Sequence, residues 1–272
     1  MTKNIYNILI FGFFLTLISS CEVEPEQTPP DRSYELVWSD EFDGDSGTTV
    51  DPAKWAFDLG TGENGWGNNE LQSYTNDPAN IAHDGKGNLV ITAIKAPDGR
   101  YTSARIKTKG LFSQKYGRFE ARIKTPAGAG MWPAFWMLGE NIDEVSWPQC
   151  GEIDIMEQKG NLTSITYGSL HGPGYSAGEA ITTPYGLQND RFDSDFYVYA
   201  VEWGEDYIDF FVGDYLYKRV VPSDVPGEWV YDQPFFLLLN LAVGGTFGGP
   251  PNDFTPFPST MEIDYVKVYK EN

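Results

Sequence analysis

An all-β sandwich is the fold this sequence predicts, on three observations. About a dozen segments read as strands, several of them alternating apolar and polar residues with the period of two of a half-buried strand. No segment carries a convincing amphipathic helical stripe. Aromatics make up 15 % of the 272 residues, beside 29 glycines and 18 prolines, a composition that fits many strands and turns better than helices. The expected architecture is two curved antiparallel sheets packed face to face.

Residues 1–21 read as an export leader. Lys3 supplies a positive start, and Ile8 to Ile18 is an apolar run of signal-peptide length, too short for a comfortable membrane span. The run ends Leu17-Ile-Ser-Ser-Cys21, and small residues directly before a Cys resemble a lipobox, in which Cys21 would be lipidated. Ordinary cleavage nearby, with Cys21 incidental, is the alternative. Residues 22–32 are acidic and Pro-rich and read as a tether. A single domain is expected over 33–272.

Within it, Leu36 to Asp43 reads as a first strand, and Asp51 to Trp55 as a turn or helical start. Gly60-Thr-Gly-Glu-Asn-Gly65 formally matches G-x-G-x-x-G. No apolar strand leads in, no helical pattern follows, and Glu63 would face the phosphates, so a nucleotide site is rejected. The run Gly65 to Thr75 is polar, aromatic and loosened by glycine, which suits sugar hydroxyls and sugar faces. Asn88 to Lys95, Ser103 to Lys109 and Tyr116 to Lys124 read as strands, the last with Phe119, Ala121 and Ile123 inward. Met131 to Leu138 and Ser164 to His171 are further strands, and Phe196 to Trp203 alternates in the same way. Tyr207 to Val212 and Tyr215 to Val221 flank Gly213-Asp214 as a hairpin. Pro234 to Val243 is almost wholly apolar and reads as a central strand between layers. Its one polar break, Asn240, faces either cleft or core. Thr260 to Tyr269 closes the domain.

The chemistry concentrates in Trp147-Pro-Gln-Cys-Gly-Glu-Ile-Asp-Ile-Met-Glu-Gln158. Glu152, Asp154 and Glu157 sit among apolar residues. Strict alternation would place 152, 154 and 156 on one face, yet the third acid comes one residue late. A β-bulge would return Glu157 to the face of the other two. Like charges so close raise one another's pKa, and a two-carboxylate glycosidase needs one ionised nucleophile and one protonated acid. Five residues of strand rise roughly 13–16 Å, so bulge, twist and leaning side chains must bring the carboxyls together.

Gly151-Glu-Ile-Asp-Ile-Met-Glu157, with Met131-Trp-Pro-Ala-Phe-Trp-Met-Leu138 before it, resembles the catalytic strand of glycoside hydrolase family 16. Within that family the likeness is strongest to bacterial laminarinases, which are endo-1,3-β-glucanases, and it runs from about Leu36 to Tyr269. The resemblance implies a concanavalin A-like jelly roll with a substrate cleft across its concave sheet. It implies Glu152 as nucleophile, Glu157 as general acid and then base, and Asp154 between them setting which Glu is ionised. It marks Trp66, Asn69 and Arg105 for sugar contact, and His171 near the leaving-group side, where a purely structural histidine is the alternative. Aromatic faces stack on pyranoses, so Trp132 and Trp136 are expected on the glycone side, with Trp136 in the core as the alternative; Trp147 is a further candidate. Relatives often hold a structural Ca2+ away from catalysis. Glu41, Gly85 and Asp264 match its ligands, or are plain surface residues. No cofactor is implied for catalysis.

Composition bounds the rest. A formal charge of −20 argues against nucleic acid, anionic membrane surfaces and sulfated polysaccharides, and leaves a neutral glucan comfortable. Two histidines exclude a three-His zinc site. If Cys21 is acylated, Cys150 is the one remaining thiol, a small buried residue beside the catalytic strand. The leading expectation is a retaining endo-β-glucanase on 1,3 or mixed 1,3/1,4 glucans, monomeric by default and exported. The alternatives are a non-catalytic β-glucan-binding protein on the same fold, or a relative acting on agar or carrageenan.

Overall fold

The computed structural model describes residues 31–272; the expected leader, Cys21 and most of the tether lie outside the described residues. In chain order its strands are β1 (Tyr34–Asp40), β2 (Ala56–Asp58), β3 (Gln72–Tyr74), β4 (Ile81–His83), β5 (Leu89–Lys95), β6 (Tyr101–Ser103), β7 (Arg105–Lys107), β8 (Gly117–Lys124), β9 (Met131–Gly139), β10 (Glu152–Glu157), β11 (Ile165–His171), β12 (Ile181–Gly186), β13 (Tyr197–Trp203), β14 (Ile208–Val212), β15 (Tyr215–Val220), β16 (Phe235–Val243) and β17 (Ser259–Glu271). Two single α-turns, α1 (Ile142–Val145) and α2 (Gly245–Gly248), interrupt them. The predicted dozen strands become seventeen among the described residues. The additions are short segments, three to six residues long, whose alternation is too brief to register.

The strands form two sheets. The convex sheet runs β15-β14-β13-β8-β17-β5-β6-β3, with β1 on β17 and β4 on β5. The concave sheet runs β12-β11-β10-β9-β16-β7-β2. Phe119, Ala121 and Ile123 of β8 are fully buried and meet Phe135, Met137, Ile153 and Leu239 of the concave sheet in the main core. The segment expected as one strand over Ser103 to Lys109 is split. Ala104, fully buried, carries the chain from β6 in the convex sheet to β7 in the concave one. Alternation continues across the break, so period alone does not reveal the change of sheet.

Two further expectations are revised. All nine residues of β16 are buried, but not because layers cover both faces. Phe235, Leu237, Leu239, Leu241 and Val243 enter the core, while Phe236 and Leu238 join a separate small cluster on the opposite side. The folded unit also reaches one residue beyond its expected start at 33. The Arg32 guanidinium donates to Glu202 at 2.6 Å and to Asp209 at 3.0 Å, and stacks 3.9 Å from the Tyr207 ring centre. Asp209 is fully buried and also holds Arg219 through two 2.6 Å bonds. Arg32 belongs to this ion-pair network and not to a free tether.

Candidate active site

β10 carries the acids, and its pairing shows how they come to share a face. Against β9, Asp154 faces Trp136, but the next two residues face Phe135 alone before Glu157 meets Ala134. This is the expected bulge, at Ile155-Met156. Both bulge residues are buried in the core, so the acids are left to the other side. The same irregularity appears against β11.

The acids lie in a cleft of about 610 Å3. Its lining comes from every strand of the concave sheet between β12 and β7: Thr182, then Ser169 and His171, the acids, the β9 tryptophans, Asn240, and Arg105. The loop over 65–70 adds Trp66, Gly67, Asn68 and Glu70 to the lining at the far end. A polymer lying in this cleft therefore crosses the strands.

Each outer acid is held by an indole. The Trp132 N–H donates to Glu157 Oε1 at 2.9 Å, and the Trp147 N–H donates to Glu152 Oε2 at 2.9 Å. The Ser169 hydroxyl stands 3.5 Å from Glu157 Oε2 and is itself paired with Thr182 at 3.0 Å. His171 serves the inner pair. Its Nδ1 accepts the Ala177 N–H at 3.1 Å, so the neutral ring carries its proton on Nε2. Nε2 lies 3.1 Å from Asp154 Oδ2 and 3.7 Å from Glu152 Oε1. The 3.1 Å approach is close but poorly aligned, and Asp154 Oδ2 keeps no formed hydrogen bond. His171 thus contacts the acids and also lines the cleft.

Burial is the main force on all three acids. It pushes Glu152 well above the usual carboxylate range, with repulsion from Asp154 and Glu157 adding to it and His171 opposing it. Asp154 is raised well above its ordinary value by burial and by Glu157, against a hydrogen bond shared with Glu152. Glu157 is raised by burial and drawn back by His171, Trp132 and Ser169. Burial and mutual repulsion both disfavour all three being charged together.

These raised values carry a stability consequence. Between the ordinary and the raised pKa the folded state binds more protons than the unfolded one, so stability falls as pH climbs through that interval. Asp154→Asn removes one of the buried acids. We expect its melting temperature at pH 7–8 to exceed that of the parent, with a flatter pH dependence, in a calorimetric series from pH 5 to 9. A melting temperature below the parent's at every pH would refute the assignment.

The other marked residues divide. Trp66, Arg105, Trp132, Trp136, Trp147 and His171 all line the cleft. Asn240 does too, accepting the Trp136 N–H at 2.8 Å, so both residues face the cleft and not the core. Arg105 is buried, 4.7 Å from the ring centres of both Trp66 and Tyr74, and ion-paired to Glu70 at 3.6 Å. Asn69 is a correction: it is exposed and outside the cleft, whereas Asn68 and Glu70 line it. Left-handed φ at Trp66, Gly67 and Asn69 turns the loop, which strand-like counting cannot anticipate.

The calcium match asks for one carboxylate and backbone carbonyls among Glu41, Gly85 and Asp264. The Asp264 carboxylate accepts from Arg122 at 2.5 Å, and Glu41 lies 3.2 Å from Lys267. Gly85 packs against Ser46. A cation taking the Glu41 carboxylate would have to displace Lys267, whereas the Arg122 pair does not involve the Asp264 backbone carbonyl. Cys150 is fully buried as expected, its thiol pushed up to about 11 by burial and the nearby Glu152.

Several lining residues escaped the sequence reading. Ser169 was available from period two, being two residues before His171. Phe247, 5.2 Å from Trp132 and edge-on to Tyr167, sits in the glycine-rich Gly244–Gly249 segment, whose glycines signal a loop. Ala177, Gly178 and Ala180 carry no chemical signal at all.

Comparisons agree with this geometry. The family model "Glycosyl hydrolases family 16" matches residues 67–267. A β-glucanase of Rhodothermus marinus is 41 % identical over 271 residues, covering 95 % of this chain and 93 % of its own. The catalytic domain of an endo-1,3-β-glucanase (laminarinase) from Thermotoga petrophila superposes with a TM-score of 0.83 at 46 % identity, covering 89 % of this chain and 100 % of its own. An endo-β-1,3-glucanase from Pyrococcus furiosus gives 0.82 at 43 %, covering 89 % and 96 %.

Proposed function

This chain belongs to glycosyl hydrolases family 16, and on that footing we propose that it is a retaining endo-β-glucanase cutting internal 1,3-β bonds of laminarin-type glucans. Mixed 1,3/1,4 chains fall within the same reading. The observation that carries it is the bulged strand β10, which presents three buried acids to a cleft open across the whole sheet. A cleft that crosses the whole sheet suits cleavage within a polymer.

Glu157 protonates the glycosidic oxygen as the bond to the anomeric carbon breaks. Glu152 attacks that carbon and forms a glycosyl ester. Glu157, now a carboxylate, takes a proton from water, and the water oxygen displaces Glu152 and restores both groups. Asp154 shares the proton that would otherwise silence Glu152, and the Trp147 N–H favours Glu152 as the anion. Trp132 marks one oxygen of Glu157 as acceptor, leaving the other to carry the acid proton. The Arg105–Glu70 pair presents a net-neutral wall, suited to hydroxyls and not to sulfate.

Export and lipid anchoring through Cys21 belong to this reading and are supported by Lys3, the Ile8–Ile18 run and the Ser-Ser-Cys21 ending. Reducing-end release from laminarin, barley mixed-linkage glucan, agarose and κ-carrageenan tests the function, on residues 31–272 so that Arg32 is kept. Laminarin should be cut fastest and the two galactans left intact. Laminarin bound but uncut would point to a binding protein instead.

A further inference from the structure

Glu157 ends β10, and the chain keeps its alternation for two positions more. Gln158 is fully buried, and its backbone N–H donates to the Pro133 carbonyl at 3.3 Å. Lys159 therefore returns to the face that carries Glu157. The turn beyond it is pinned. The Gly160 N–H donates to the Met131 carbonyl at 2.8 Å, and the Leu162 N–H to the Lys159 carbonyl at 2.7 Å.

The Lys159 ammonium has a defined seat, 4.6 Å from the ring centre of Phe247 and 5.8 Å from that of Tyr167. Tyr167 is the register partner of Glu157 on β11. Phe247 lies 5.2 Å from Trp132, whose N–H holds Glu157. Both rings under the ammonium thus border the acid/base carboxyl. Among the described residues no carboxylate pairs with Lys159. Aromatic faces hold a cation without cancelling its charge. Four other titratable groups face Glu157: Glu152 and Asp154 from its own strand, and His171 and the Tyr167 phenol from β11. Across β9 and at the 244–249 segment its neighbours, Trp132, Ala134 and Phe247, carry no charge. Burial raises the Glu157 pKa, and Lys159 is among the groups that oppose this, after His171, Trp132 and Ser169.

We propose that Lys159 is a positioning residue for the acid/base: seated on Phe247 and Tyr167, it sets a positive charge beside Glu157, so that a buried carboxyl next to two other acids still gives up its proton. The proposal rests on the endo-β-glucanase reading, in which Glu157 must release a proton and take one back in every turnover.

The test is the pH profile of kcat/KM on laminarin for the parent and for Lys159→Met, Lys159→Glu and Lys159→Arg. Met keeps the aliphatic stem on the rings, and melting temperature checks each fold. The basic limb reports loss of the proton that Glu157 must donate. It should move to higher pH by about half a unit in the Met variant and by roughly twice that in the Glu variant, and stay in place in the Arg variant. A purely structural lysine would not grade the limb by charge. Carboxyl 13C NMR of Glu157, assigned with Glu157→Gln, reads the same shift without turnover should a variant lose activity. A limb and a carboxyl signal that stay in place in the Met and Glu variants overturn the proposal, as does an equal shift in the Arg variant. A parent that cuts no laminarin overturns the endo-β-glucanase reading and the proposal with it.

Discussion

Glu152→Gly leaves less than about one part in 10 000 of laminarin turnover, since removing a nucleophile removes the covalent route entirely. Binding of laminarin survives, because the indoles, Arg105 and Asn240 remain. Sodium azide at high concentration restores cleavage of an activated aryl β-glucoside, and the product is the α-glycosyl azide. The small anion occupies the space the carboxylate vacated and attacks from the same face, so one displacement inverts the anomeric carbon. Product configuration by NMR is the measurement. A β-azide, or no rescue with the fold intact, would move the nucleophile to another residue. The geometry makes this variant informative: Glu152 is buried, contacts His171 and Trp147, and has no neighbour that could replace it as an anion except Asp154, whose pKa is itself held high.

Glu157→Ala separates the second role. Polysaccharide cleavage falls by about 100- to 10 000-fold, the usual worth of a general acid at an unactivated leaving group. An aryl glucoside with an acidic phenol leaves without protonation, so its first step is nearly spared. Release of the glycosyl ester then limits the rate, and a burst of phenol should precede a slow steady state. Azide needs no base and accelerates that release, this time giving the β-glycosyl azide, since two displacements retain configuration. Equal losses on both substrates would contradict the acid role. Trp132 and Ser169 hold this carboxyl, so Glu157→Ala also leaves their donors facing a cavity open to water, which keeps the structural cost small.

The catalytic strand was readable in advance because its signal is local. Acids on a strand whose remaining residues are apolar can only face away from the core. The one-residue delay before Glu157 has one economical remedy in a sheet, the bulge that the pairing with β9 contains. Trp132 and Trp136 follow by the same period of two. Other positions depended on chain geometry that no period encodes. Asn68 and Asn69 are chemically identical, and only the left-handed turn through Trp66, Gly67 and Asn69 decides which faces the cleft. The calcium match rests on resemblance, while the pairing of Lys267 with Glu41 and of Arg122 with the Asp264 carboxylate is visible only in the fold.

By itself the sequence determined the all-β class, the catalytic acids and the bulge between them, because alternation, burial and like-charge repulsion act between residues near in the chain. Only the tertiary structure decided that Trp147, 42 % exposed in its loop, reaches Glu152, that His171 meets Asp154, that the chain changes sheets at Ala104, and that Arg32 joins the domain. Those are contacts between segments brought together by sheet order and loop closure, and sheet order is settled by the packing of the whole core.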